Sequence, residues 1–372
     1  MITNNGFFER VITMADELKE AFATPEMPAA QAVKPSYKHL VYKTNEELEL
    51  LESVLAEIRK TKLGKQLIAD AEAYGTTIEI TSGMRAYGSF DEFTKQIRLN
   101  ANGDKDSLVG TLAHEMRHSQ QFQKGLRFHA LYDTPTSYIQ NQTVIEADAS
   151  VAATEICYEL ATQGNSAPLE TLRKKDAYIV NPFQNEAIKG NLANGGAHKA
   201  AFYAWYTDYF MRDAYETNYC KMYTQLYRNS SREESDQKMT RTVPVRETID
   251  LVCQYNGKPY LGKEADEFFA SEDMHTVSFE RFNMIYGRIW MDPDVDYKEG
   301  ADATMMKKFG LKQRPHYGYM PSKKAPELLG PVPTIESRQA EAAQKIAEAK
   351  TAKTATQTAQ VVNKVLENKV RS

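Results

Sequence analysis

Between Thr44 and about Tyr74, apolar residues recur at steps of three and four, at Leu48, Leu51, Val54, Leu55 and Ile58. That spacing collects them on one face of a helix, and Gly75 interrupts it. Thr76 to Thr81 is rich in β-branched residues and reads as a strand. A second strand is expected over Lys95 to Leu99, at the open edge of its sheet, after the turn-prone Gly88, Ser89 and Asp91. Asn100 to Ser107 is a polar loop, and Asp106 or Ser107 is placed to cap the helix that follows. In that helix Val109, Leu112, Ala113 and Met116 form the stripe of a buried face.

Residues 119–142 read as a long polar connection containing Pro135. The pattern predicts a second helix from about Thr143 to Ala161, stopping before Gly164, and a third from about Ala197 to Tyr227, loaded with Tyr, Trp and Phe. Asn229 to Thr240 is charged and loop-like, and 241–325 is mixed and irregular. Pro315, Pro321, Pro326, Pro331 and Pro333 then mark a linker. From Ile335 onward the chain lacks aromatics and is rich in Ala, Lys, Glu, Thr and Gln, as in a detached helix or disordered tail. Four segments result: an arm and linker over 1–35, a main domain over 36–230, a mixed extension packed on it over 231–325, and a Pro-rich linker with an Ala-rich tail over 326–372. The expected class is α+β, with a small, mainly antiparallel sheet packed on the helix after Ser107 and a largely helical remainder.

The 372 residues are 42% hydrophobic and 10% aromatic, enough for a real core, and the formal net charge is −4. Interspersed acids and bases argue against nucleic acid as the partner, since phosphate binding needs a basic face. Cys157, Cys220 and Cys253 show no paired spacing, which suggests a reducing compartment and small buried thiols. Neither a signal peptide nor a membrane span is legible, so the expectation is a cytoplasmic protein without membrane contact, with non-classical export as the exception.

The chemistry is concentrated in Leu108 to Gln121, which contains His114-Glu115-Met116-Arg117-His118. On a helix, positions four apart lie one above the other, so both imidazoles reach one metal ion. Glu115 is turned toward a water on that metal without ligating it, the place of a general base. A catalytic zinc site takes three protein ligands and keeps one position for water. A histidine six residues after His118 would complete one known pattern, but that position is Lys124, and the glycine it requires at 121 is Gln121. His129 lies in a loop and fits no pattern. Glu146, 28 residues after His118 and flanked by Ala147, Ala149, Ala152 and Ala153, is the favoured third ligand, because small side chains let its helix approach closely. Asp148 is the rival; two residues away, it points to a different side.

These motifs resemble the gluzincin branch of zinc metallopeptidases, which pairs His-Glu-x-x-His with a glutamate on a following helix, often as Glu-x-x-Ala and then Asp or Asn. Glu146 to Ala149 match Glu-x-x-Ala, and Ser150 stands where the residue that orients a histidine would be. The likeness covers about residues 76–160 and is nearest to bacterial metallopeptidases with His-Glu-x-x-His followed by Glu-Ala-Asp-Ala. More distantly, it extends to the repressor-cleaving peptidases of mobile genetic elements. It implies a zincin-like fold, a Zn2+ ion on His114, His118 and Glu146, Glu115 as base, Asp148 or Ser150 in support, and a peptide or protein substrate. Related enzymes stabilise the oxyanion with a Tyr, His or Arg from further along. Here His198, Tyr203, Tyr206 and Tyr209, or the His316, Tyr317 and Tyr319 cluster, are the candidates. Two other readings are a zincin-fold scaffold without catalysis and a delivered effector peptidase, each using the tail as a partner-binding segment.

Overall fold

The computed structural model describes residues 35–130, 132–229, 240–277 and 312–313. The chain divides into two units, Met1–Lys38 and His39–Ser372. Of the first, residues 35–38 are described and form a bend leading into a turn. The arm, the tail from Ile335 and the His316, Tyr317 and Tyr319 cluster lie outside the described residues. No helix among the described residues is long and apolar enough to cross a membrane.

The second unit is α+β and mostly helical. After β1 (Leu40–Val41), the helical pattern expected over 44–74 resolves into α1 (Asn45–Ile58) and α2 (Lys62–Tyr74). Thr44 caps α1 by accepting from Glu47 N, and Leu48, Leu51, Val54, Leu55 and Ile58 are its buried face. The break comes at Thr61, whose hydroxyl caps α2 from Gly64 N. Gly64 is required there, since a Cβ would sit 2.1 Å from the Ile58 carbonyl.

Strands β2 (Thr77–Thr81), β3 (Gly88–Asp91) and β4 (Gln96–Asn100) join β1 in a four-stranded sheet of order β1-β2-β4-β3. The expected antiparallel character is corrected: β1–β2 and β2–β4 are parallel, and only β3–β4 is antiparallel. The helical crossover through α1 and α2 brings β2 in parallel to β1. β4 then inserts between β2 and β3, so the strand expected at an edge is interior. The edge is β3, whose Gly and Asp content reads as a turn. Ile78, Ile80, Ile97 and Leu99 alternate into the core.

Helix α3 (Lys105–Gln123) packs on β3 and β4 and is capped by Asp104, one turn earlier than Ser107. It runs on to Gln123, and α4 (Pro135–Thr162) begins with Thr134 as cap and Pro135 in its first turn, so the connection is only 124–134. Ala147, Ala149, Ala152 and Ala153 are buried in α4, which lies against α3. Helix α5 (Ala167–Ile188) has no counterpart in the sequence reading; Pro182 and a non-helical Asp176 (φ −125°, ψ 41°) interrupt its pattern. The single aromatic helix expected over 197–227 is two, α6 (Gly196–Trp205) and α7 (Tyr209–Asn229). Phe202, Tyr203, Trp205 and Tyr206 are buried in one core with residues of α4 and with Val243 to Met274. That stretch contains α8 (Val245–Val252), the hairpin β5 (Gln254–Tyr255) and β6 (Lys258–Pro259), and α9 (Glu264–Phe269). Positive φ at Asn256 and Gly257 gives that hairpin its two-residue turn. All three cysteines are free and buried.

Candidate metal centre

The antiparallel contact of α3 and α4 decides the site. His114 and His118, one turn apart on α3, bring their Nε2 atoms to 3.0 Å of each other. Across the interface, Glu146 Oε2 lies 3.3 Å from His114 Nε2 and 3.3 Å from His118 Nε2. Three donor atoms thus form a near-equilateral triangle. The edge of a tetrahedron with bonds of about 2.0–2.1 Å is about 3.3 Å, so the triangle fits one face of a tetrahedral metal site. Among the described residues this is the one group of three or more His, Cys, Asp or Glu that converges in this way.

Two of the three side chains, His118 and Glu146, are held from behind. His118 Nδ1 lies 2.9 Å from Gln121 Oε1, and Gln121 Nε2 donates to the Ile145 carbonyl at 3.0 Å and to Asp148 Oδ2 at 2.7 Å. Gln121 Oε1 must therefore accept, which puts the proton of a neutral His118 on Nδ1 and leaves Nε2 free to ligate. The other oxygen of Glu146 accepts from Tyr219 OH at 2.8 Å, and Tyr215 is a second phenol bonded to that carboxylate. Burial pushes both phenols well above their ordinary pKa, so both remain donors.

Glu115 lies beside the triangle, buried, with the backbone N–H of Phe90 bonded to its carboxylate. Burial raises its pKa, opposed by the two histidines and assisted by Glu146. Burial also acts against the charged form of Glu146, but His118 and His114 outweigh it and hold that carboxyl well below its usual range. For His118, burial favours the neutral ring; the charge and hydrogen bond of Glu146, then Glu115 and Gln121, overcome it and push the pKa up to about 9. A raised base beside anionic and imidazole ligands can activate water and bind a divalent ion.

A family model described as "Putative metallopeptidase family (DUF6782)" matches residues 27–261. The chain belongs to that family. No curated protein and no solved structure matches it. The matched span of this metallopeptidase-family chain runs from before β1 through Tyr260 and so includes every residue that builds the site, which supports a metal-dependent peptidase.

Asp148, the rival ligand, faces away from the triangle. It is 1% exposed and accepts from Arg117 Nε at 2.7 Å, Arg117 Nη2 at 3.1 Å, Gln121 Nε2 at 2.7 Å and Tyr260 OH at 2.8 Å. Ser150 gives its carbonyl to Thr154 Oγ1, and the histidine-orienting task is taken by Gln121. His129 lies in the 124–134 connection with its ring 5.1 Å from that of Tyr132. His198 bonds Glu155 at 2.9 Å, Tyr203 and Tyr206 are in the aromatic core, and Tyr209 opens α7. Of the missed residues, Gln121 carried a local signal, three positions from His118 and so on the same helical face. Tyr215, Tyr219 and Tyr260 carried none.

Proposed function

We propose that this chain is a zinc-dependent peptidase of gluzincin type with a zincin-like arrangement of edge strand and helix. The observation that carries the reading is the triangle of His114, His118 and Glu146 with Glu115 beside it. Two imidazoles and one carboxylate on a helix with a built-in base suit zinc hydrolysis better than oxygen chemistry. When bound, zinc supplies Lewis-acid polarisation of water and of the scissile carbonyl. Glu115 takes the proton of the attacking water and returns it to the leaving amine. Burial raises its pKa and so favours the proton it takes up in that transfer, and the Phe90 N–H keeps the carboxylate aimed.

The substrate track is β3. Asn100 N donates to the Tyr87 carbonyl at 2.9 Å, and the antiparallel register pairs Ser89 with Arg98. By alternation, the backbone groups of Gly88 and Phe90 face the unpaired edge. The Phe90 N–H is engaged by Glu115, which leaves the Gly88 amide and the two carbonyls for an extended peptide. A Cβ at Gly88 would fall 2.6 Å from Thr111 Cγ2 and 3.0 Å from Glu115 Oε1, so glycine lets the strand lie directly on the base.

Elemental analysis of wild type and of His114→Ala/His118→Ala, purified side by side, tests the metal. About one zinc per chain in the first and none in the second is expected. Glu115→Gln should keep zinc and lose peptide hydrolysis; retained hydrolysis in that variant refutes the mechanism.

A further inference from the structure

Helix α5 is tied to the metal cleft by two contacts. Leu172 Cδ1 lies 3.7 Å from the position a Cβ would take at Gly110, one turn before His114 on α3. Lys175 Nζ lies 3.4 Å from the centroid of the Tyr87 ring. Tyr87 immediately precedes Gly88, the residue that lies on Glu115. The ammonium on that ring therefore joins α5 to the start of the substrate strand. Asp176, four residues after Leu172 and next to Lys175, is held between these contacts, at the kink of α5.

The carboxylate of Asp176 is unmatched. The residue is half-buried, and its oxygens are not among the sealed polar atoms of the described residues, so they can be reached from solvent. No Lys, Arg or His among the described residues comes within salt-bridge distance of it, because Lys175 is turned onto Tyr87. Burial raises its pKa, His114 and then Lys175 oppose that, and Asp208 adds to it. His114 is the foremost opposing charge, so the carboxylate looks onto the metal side of α5. Asp208 brings no cation either; its Oδ1 accepts from Met211 N at 2.9 Å at the start of α7. Taking a carboxylate partly out of water costs free energy that a cation returns. The open side of Asp176 leaves that cation to come from the substrate.

We propose that Asp176 sets the substrate preference of the cleft. Its carboxylate takes a positively charged group of the bound peptide, a lysine or arginine side chain or a free amino terminus, close to the scissile bond. The inference rests on the peptidase reading for the nature of the substrate, but the preference is one of binding and can be read without hydrolysis.

The full chain carrying Glu115→Gln, loaded with zinc, is titrated with short fluorescent peptides of Ala and Ser, and affinity is read by anisotropy. Both ends are blocked, and the central residue is Arg, Met or Glu. A fourth peptide has a central Met and a free amino terminus, which separates a side-chain cation from a terminal one. The Arg peptide or the unblocked Met peptide should bind at least about tenfold tighter than the blocked Met peptide, with the Glu peptide weakest. Asp176→Asn should erase that preference, Asp176→Glu should keep most of it, and Asp176→Lys should reverse it in favour of the Glu peptide. The reversal is a gain of binding, which a merely misfolded variant does not give. Equal affinity for all four peptides, no saturable binding of any of them up to about 1 mM, or a preference that Asp176→Asn leaves in place overturns the proposal. If the preference holds but the chain with Glu115 intact does not cut the peptide that binds tightest, the role of Asp176 stands and the peptidase reading fails.

Discussion

Replacing Asp148 by Asn separates a ligand from a keystone. Both carboxylate oxygens are occupied by donors from Arg117, Gln121 and Tyr260, and Arg117 itself is 5% exposed. Asparagine keeps the shape but offers one acceptor oxygen and turns an NH2 group toward donors. The guanidinium then stays buried without its counter-charge, a loss of about 3–5 kcal/mol, a large share of a typical stability of about 5–15 kcal/mol. At about 2–4 °C per kcal/mol for a domain of this size, the melting temperature should fall by about 10 °C. Zinc affinity should fall by no more than about 10–100-fold, because His118 loses the support of Gln121 but no ligand is removed. Thermal unfolding followed by circular dichroism, with zinc titration on the folded variant, reads both quantities. An unchanged melting temperature together with complete loss of zinc would mean that Asp148 ligates the metal, and the network described above would be wrong. The pair Arg117→Met/Asp148→Leu removes both charges and should recover much of the stability lost in Asp148→Asn, since matched apolar replacement of a buried pair is often near neutral.

Three further outcomes follow from the same geometry. Tyr219→Phe removes the phenol that fixes Glu146 Oε1 and should weaken zinc binding about tenfold while costing about 1 kcal/mol of stability; competition with a chromogenic chelator measures it. In the metal-free protein His118 is protonated below about 9, so zinc binding at neutral pH should release about one proton, visible as a dependence of calorimetric heat on buffer ionisation enthalpy. Affinity should rise about tenfold per pH unit up to that value and then level. Because this folded pKa lies above the ordinary 6.5, the His118–Glu146 contact stabilises the metal-free protein fully below 6.5 and loses its effect as pH rises through about 9. Glu57 shows the opposite sign: burial opposes its charge, but Lys105, Lys60 and Asn165 hold its pKa at about 2. Its contribution is present above the ordinary 4.5 and lost as pH falls toward 2. Since both lysines are largely solvated, Glu57→Gln should cost only about 1 kcal/mol in denaturant unfolding at neutral pH.

Legibility in the sequence followed contact range. His114, Glu115 and His118 lie within one turn and a half of one helix, so periodicity alone put them on one side. Glu146 was reachable because a run of alanines marks a helix that can approach another closely, and α4 does lie on α3. The edge strand was misplaced for a chemical reason. Gly88 and Asp91 are turn formers by propensity, yet Gly88 is glycine because its strand crosses over Glu115, and Asp91 accepts from Phe93 N and Thr94 N at the end of that strand. Helix α5 was hidden by Pro182 and by the kink at Asp176, which interrupt the apolar period that marks a helix.

What could not be read is the support of the site. Tyr219 is 73 residues from Glu146, and Tyr260 is 112 residues from Asp148. In sequence, both tyrosines are ordinary aromatics on segments whose apolar content already accounts for them by core packing. Their function rests on a single oxygen reaching a carboxylate buried by another element, and no periodicity encodes that. The same is true of Asp148, which stands at the position of a ligand candidate. The side of α4 it faces depends on the angle between α3 and α4 and on the position of Arg117 on the helix beneath. Once that angle is set, Glu146 faces the histidines and Asp148, two residues on, must face Arg117. One geometric fact therefore turns Glu146 toward the histidines and Asp148 toward Arg117 together, which is why a change at Asp148 is the sharpest test of the proposed ligand and of the keystone.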